Sequence, residues 1–128
     1  MTFNLATALA VGLGGCIGAI TRFYVGVEMV KHFPHEVPLA TLAVNIVGSF
    51  FIGILIAIFV VYTPNTLVKL FLVTGFLGAL TTYSTFAIES FMLLNSNFWY
   101  GILNIGLNVF GTIIAAGSAY KLVTHFIR

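Results

Sequence analysis

The chain has 128 residues, 60% of them hydrophobic and only 6% charged, with a formal net charge of +2. So few polar groups cannot cover a water-facing surface, which excludes a soluble globule and makes lipid the expected solvent. The basic residues are too scattered to form a phosphate-binding stripe, so no nucleic acid partner is expected.

A membrane-crossing helix needs roughly 20 apolar residues, and on that scale the sequence predicts an all-α chain of four spans in one transmembrane domain, residues 1–128. The first span covers residues 4–30, and the polar cluster Lys31-His32-Phe33-Pro34-His35-Glu36 turns the chain in water. Residues 38–62 form the second. Thr63-Pro64-Asn65 then stops one helix and caps the next, which covers residues 66–94. The last, residues 98–126, follows Asn95-Ser96-Asn97 and opens with Phe98-Trp99-Tyr100, an aromatic cluster suited to the membrane interface.

Leu13-Gly14-Gly15-Cys16 resembles a lipoprotein cleavage box, but no Lys or Arg precedes Arg22, so the basic region of a signal peptide is missing. Cys16, the sole cysteine, is read as a small packing residue. With four spans, both termini and the 63–69 loop share one side. That side holds Lys69, Lys121 and Arg128, against Lys31 on the other, with Arg22 near the same end of the first helix. So small a bias only weakly favours cytoplasmic termini, and insertion in both orientations is compatible with it. Gly14 and Gly18 are spaced for close helix approach, read here as packing within one subunit rather than a dimer seam.

Polar residues inside spans are costly unless partnered or wet. They are Arg22, Asn45, Ser49, Thr81 to Thr85, Glu89, Asn104, Asn108 and Thr112. Arg22 has a stem long enough to snorkel or a head that can be buried in a structural role. Asn104, Asn108 and Thr112 recur at i, i+4 and form one stripe, which suits either interhelical glue or the wall of a conduction path. The segment Thr74 to Phe86 carries two glycines and then five consecutive hydroxyl residues, a poor helix for a bilayer centre. A break is expected there, and a break frees backbone groups that must be buried, bind an ion or line water. Beyond it, Tyr83 and Phe86 share a face beside the ridge of Thr85 and Glu89. Ring edges carry partial positive charge and hydroxyls donate hydrogen bonds, so an anion would be accepted between them.

Three stretches carry a resemblance: Gly18-Ala19-Ile20-Thr21-Arg22, Thr41-Leu42-Ala43-Val44-Asn45, and the long run from Thr74 to Glu89. Through them the chain resembles the Fluc (CrcB) fluoride channels along essentially its whole length. The resemblance implies passive, fluoride-selective export by an antiparallel, dual-topology homodimer in the cell membrane of a prokaryote. It implies two narrow fluoride pores and a sodium ion at the dimer centre, held by the backbone carbonyls of Gly78 and Thr81 from both subunits. Tyr83 and Phe86 would be the anion-lining rings, Ser84 and Thr85 hydroxyl donors, and Asn45 an amide donor at the pore. Arg22, Thr41 and Glu89 fall at family-typical positions, and Asn108 and Thr112 would extend the pore along a fourth helix that matches more loosely. Tyr83 departs from the family pattern, where phenylalanine is usual.

Fluoride is small and strongly hydrated, and a slot of hydroxyls, amides and ring edges would replace its water without a fixed cation to trap it. The rival reading is a proton-coupled exporter resembling the small multidrug resistance transporters, which use a carboxylate in the first helix; here that helix has only Glu28, near its end. A third reading is a non-transporting assembly subunit. Enzyme chemistry has no support: no nucleophile with a base and orienting group, nor any metal-ligand spacing, is present, and His32, His35 and His125 lie near loops or the terminus.

Overall fold

The computed structural model describes residues 1–127; Arg128, counted above among the basic residues of the terminal side, lies outside them. Four helices are long and apolar enough to cross a membrane, which makes this a multi-pass membrane protein. The first, α1 (Leu5–His32), starts at a reciprocal cap: the Thr7 amide donates to Asn4 Oδ1 and the Asn4 amide to the Thr7 hydroxyl, both at 2.9 Å. It runs through Lys31 and His32 into the expected polar cluster, because basic side chains suit the negative end of a helix. The second, α2 (Leu39–Val61), follows a turn in which Val37 is almost fully buried.

The third span is irregular. Asn65 caps it by accepting the Leu67 amide at 2.9 Å. From there α3 (residues 66–80) carries π-helical turns over Leu70–Leu77 before a last short α turn. Thr81 (φ −81°, ψ 156°) and Thr82 (φ −148°, ψ 116°) are both extended, and α4 (Tyr83–Ser96) begins directly after them. The last helix, α5, covers Phe98–Ile127.

α1 packs along α3, α2 along α5, and α4 against α5. The third span therefore changes partner where its backbone is extended. The α1–α3 contact is backbone on backbone: a methyl group on Gly14 would collide with the Phe71 carbonyl, and one on Gly18 with that of Phe76. Gly75 faces the α1 backbone in return, 2.6 Å being all that a methyl group would have to the Val11 carbonyl. The Gly14/Gly18 face is thus spent within the subunit, on α3. A small core of Val44, Leu77 and Leu80 joins the two helix pairs. Most large apolar side chains lie outside it on the surface, as a lipid-facing bundle requires.

Candidate functional site

The two extended threonines must satisfy their backbone groups in a membrane interior, and a single side chain from α2 does most of this. Asn45 Oδ1 accepts the Thr82 amide at 2.8 Å, and its Nδ2 donates back to the Thr82 carbonyl at 3.1 Å. A backbone N–H can only donate, so the orientation of the Asn45 amide is fixed by chemistry. Its second Nδ2 hydrogen goes to Asn108 Oδ1 at 3.0 Å, which leaves Asn45 no free donor. Gly48, one turn further along α2, leaves the space that the Thr81 methyl group fills.

The threonine hydroxyls complete the junction. Thr81 donates to the Leu77 carbonyl through both its amide (3.1 Å) and its hydroxyl (3.0 Å). Thr82 caps α4, its hydroxyl oxygen accepting the Thr85 amide at 3.3 Å while its proton goes to the Thr85 hydroxyl at 2.9 Å. These substitutions have a cost elsewhere. In a continuous helix the Thr82 amide would serve the Gly78 carbonyl and the Thr85 amide that of Thr81; both amides are now diverted to side chains. Two carbonyl oxygens are thereby freed near mid-membrane.

Those residues line a cleft of about 440 Å³ on the flank of the bundle, where Gly78 is exposed. Asn45, Tyr83, Phe86, Asn108 and Thr112 line the same cleft. Phe86 is buried and Tyr83 is 80% exposed, and their rings meet edge-on, 5.4 Å between centroids and 67° between planes. A second cleft, of about 660 Å³, lies on the other side of Thr82. It gathers Arg22, Lys31, Thr41, Thr85 and Glu89, with the Thr41 hydroxyl donating to Glu89 Oε1 at 2.9 Å. Arg22 is half-buried there, and the one ion pair among the described residues lies elsewhere, between His32 and Glu28.

The candidates read from sequence thus divide between two clefts that share Thr82 as a common wall. Ser84 lines neither; it is exposed, with its hydroxyl 3.5 Å from that of Thr82. Among the described residues no three His, Cys, Asp or Glu side chains converge, so a cation at this site would rest on backbone oxygens. Sequence reasoning did not single out Thr82, whose role comes from where Asn45 finds it. It also passed over Ser90, a buried hydroxyl that accepts from Asn104 Nδ2 at 2.9 Å. Its i, i+7 spacing from Tyr83, two turns along one face, was the available signal.

Residues 9–120 match the family described as CrcB-like protein, Camphor Resistance (CrcB). The chain belongs to the CrcB family. Among curated CrcB-type relatives, a fluoride-specific ion channel FluC of Sulfurimonas denitrificans is 52% identical over 124 residues, covering 95% of this chain and 96% of the relative. A protein of the same name from Nautilia profundicola is 44% identical over 124 residues, at 95% and 97% coverage. A fluoride-specific ion channel FluC of Methanococcus maripaludis is 49% identical over 107 residues, at 82% and 85% coverage. The exporter reading draws no support from these relatives.

Proposed function

We propose that this protein is a passive fluoride channel, not an enzyme, working as an antiparallel homodimer that admits both membrane orientations. The observation that carries the reading is the pair of extended threonines on the wall of a membrane-embedded cleft, in a chain half-identical to a protein named as a fluoride-specific channel. Polar groups open to the flank of a bundle are costly against lipid, and a second copy of the same face would cover them. Two such copies meeting head to tail bring together four carbonyl oxygens, from Gly78 and Thr81 of each. Hard oxygens of that kind suit sodium, whose positive charge at the dimer centre would attract an anion without lying in its path.

On either side of that centre the edges of Tyr83 and Phe86, with the hydroxyls of Ser84 and Thr85, replace the water of a fluoride ion. The second cleft forms the mouth, where Arg22 and Lys31 raise the local anion concentration. Thr41 holds the Glu89 carboxylate to one side of it. Asn108 and Thr112 continue the wall on α5, and the cell membrane of a prokaryote is where such an exporter would act.

The test is efflux from proteoliposomes loaded with fluoride or chloride. Fluoride leaves and chloride stays; equal passage of the two rejects the reading. Phe86→Ile removes a ring edge worth about 1 kcal/mol and slows fluoride efflux by about fivefold. Replacing sodium by a large organic cation during purification and assay abolishes fluoride efflux if the carbonyl site is needed, and unchanged flux would remove sodium from the proposal.

A further inference from the structure

We propose that Asn104, anchored by Ser90, is a positioning residue that fixes the peptide of Thr82 through Asn108 and Asn45, and so sets the geometry of the ion path; the functional half of this rests on the channel reading above. Because the Thr82 amide fixes Asn45 Oδ1, the Asn45 Nδ2 must point at Asn108, and Asn108 must answer with its oxygen, at 3.0 Å. Asn108 Nδ2 therefore faces away, and donates to the carbonyl and the Oδ1 of Asn104 at 3.1 and 3.2 Å. Asn104 in turn must present its own Nδ2 to Ser90 Oγ, 2.9 Å away. Each orientation dictates the next, from the start of α4 through α2 and α5 and back to Ser90 on α4.

Burial makes this order rigid. Asn104 is 0% exposed, Asn108 4%, Ser90 5%, and Asn45 and Thr82 8% each. With side chains so deeply buried, an amide turned the wrong way sets donor against donor at a high cost. Neither Asn104 nor Ser90 lines either cleft, so neither can touch a permeating ion. The effect of either reaches the cleft through Asn108 and, beyond it, Asn45, whose donors are already committed to Thr82 and Asn108 and are not offered to the anion.

Asn104→Leu keeps the branched heavy-atom outline at a somewhat larger volume. It removes the side-chain acceptor for Asn108, leaving only the Asn104 backbone carbonyl, and removes the donor to Ser90, whereas Ser90→Ala removes only the far anchor. Both are made in the parent and in an Asn45→Ala background, purified as the full chain and reconstituted. Two quantities are measured: hydrogen exchange at the Thr82 amide and fluoride efflux. In the parent background Asn104→Leu speeds Thr82 exchange by about tenfold, and Ser90→Ala by somewhat less, while amides in α1 are unchanged. Efflux falls in the same order, and in the Asn45→Ala background neither change lowers it further. The proposal is overturned if Thr82 exchange stays at the parental rate in both variants, or if the losses of efflux multiply in the double variants. If Asn104→Leu does not yield monodisperse protein, Ser90→Ala decides alone. Should the parent pass no fluoride, the channel reading fails while the exchange measurements still judge the wiring.

Discussion

The two sides of this bundle are held together in opposite ways. Along α1 and α3 the helices touch backbone to backbone through Gly14, Gly18 and Gly75, with no side-chain hydrogen bond between them. Between α2, α4 and α5 the contact is a run of buried amides and hydroxyls, from Thr82 through Asn45, Asn108 and Asn104 to Ser90. Close approach of small residues gives dispersion energy but no direction, whereas amides have a donor end and an acceptor end and therefore fix orientation. The glycine seam builds the scaffold, and the amide run orients the residues that line the flank cleft. The third span serves both, and passes from one to the other at Thr81 and Thr82.

The contrast is broken most severely at the seam. Gly18→Val drives a side chain into the Phe76 carbonyl and costs about 3 kcal/mol or more, so little monodisperse protein is recovered by gel filtration. Asn108→Ala strands the second hydrogen of Asn45 and the side-chain oxygen of Asn104, at about 2 kcal/mol in thermal unfolding. Monodisperse protein is still recovered in that variant, yet fluoride efflux is lost out of proportion to the stability change. Thr82→Val removes the cap of α4, a loss of about 1 kcal/mol, and frays the first turn that carries Tyr83 and Phe86. Gly12→Ala gives the smallest effect: no atom lies within 4 Å of the added methyl group and Gly12 lines neither cleft, so unfolding shifts upward by up to about 1 kcal/mol with efflux unchanged. A seam variant that kept its fold but lost selectivity would undo the division of labour between the two sides.

Much of the scaffold was legible in the sequence, because hydropathy and span length are local properties and four runs of apolar residues leave little choice. The Gly14 and Gly18 pair was legible for the same reason: two small residues at i, i+4 mark a face wherever the partner lies. The stripe of Asn104, Asn108 and Thr112 could be seen too, though not which of its two meanings applies. In the structure Asn104 serves only as glue, while Asn108 both bonds Asn45 and lines the flank cleft. The pairing of Asn45 with Thr82 joins residues 37 apart, and its bond to Asn108 spans 63, distances at which no periodicity carries information. Sequence reading therefore offered the Asn45 donors to the pore, where the fold gives both of them to the protein. The two-cleft arrangement was equally hidden, since Arg22, Thr41 and Glu89 lie on three different helices and meet only after folding.

The π-helical turns over Leu70–Leu77 say where the length of the third span can vary. A π segment holds nearly one residue more per turn than its α equivalent, so losing one residue there lets it tighten into ordinary α turns with the flanking register largely kept. A deletion in α4 has no such slack and turns every residue beyond it by about 100° around the axis. The π segment should therefore tolerate loss of a residue better than the regular helices on either side of it.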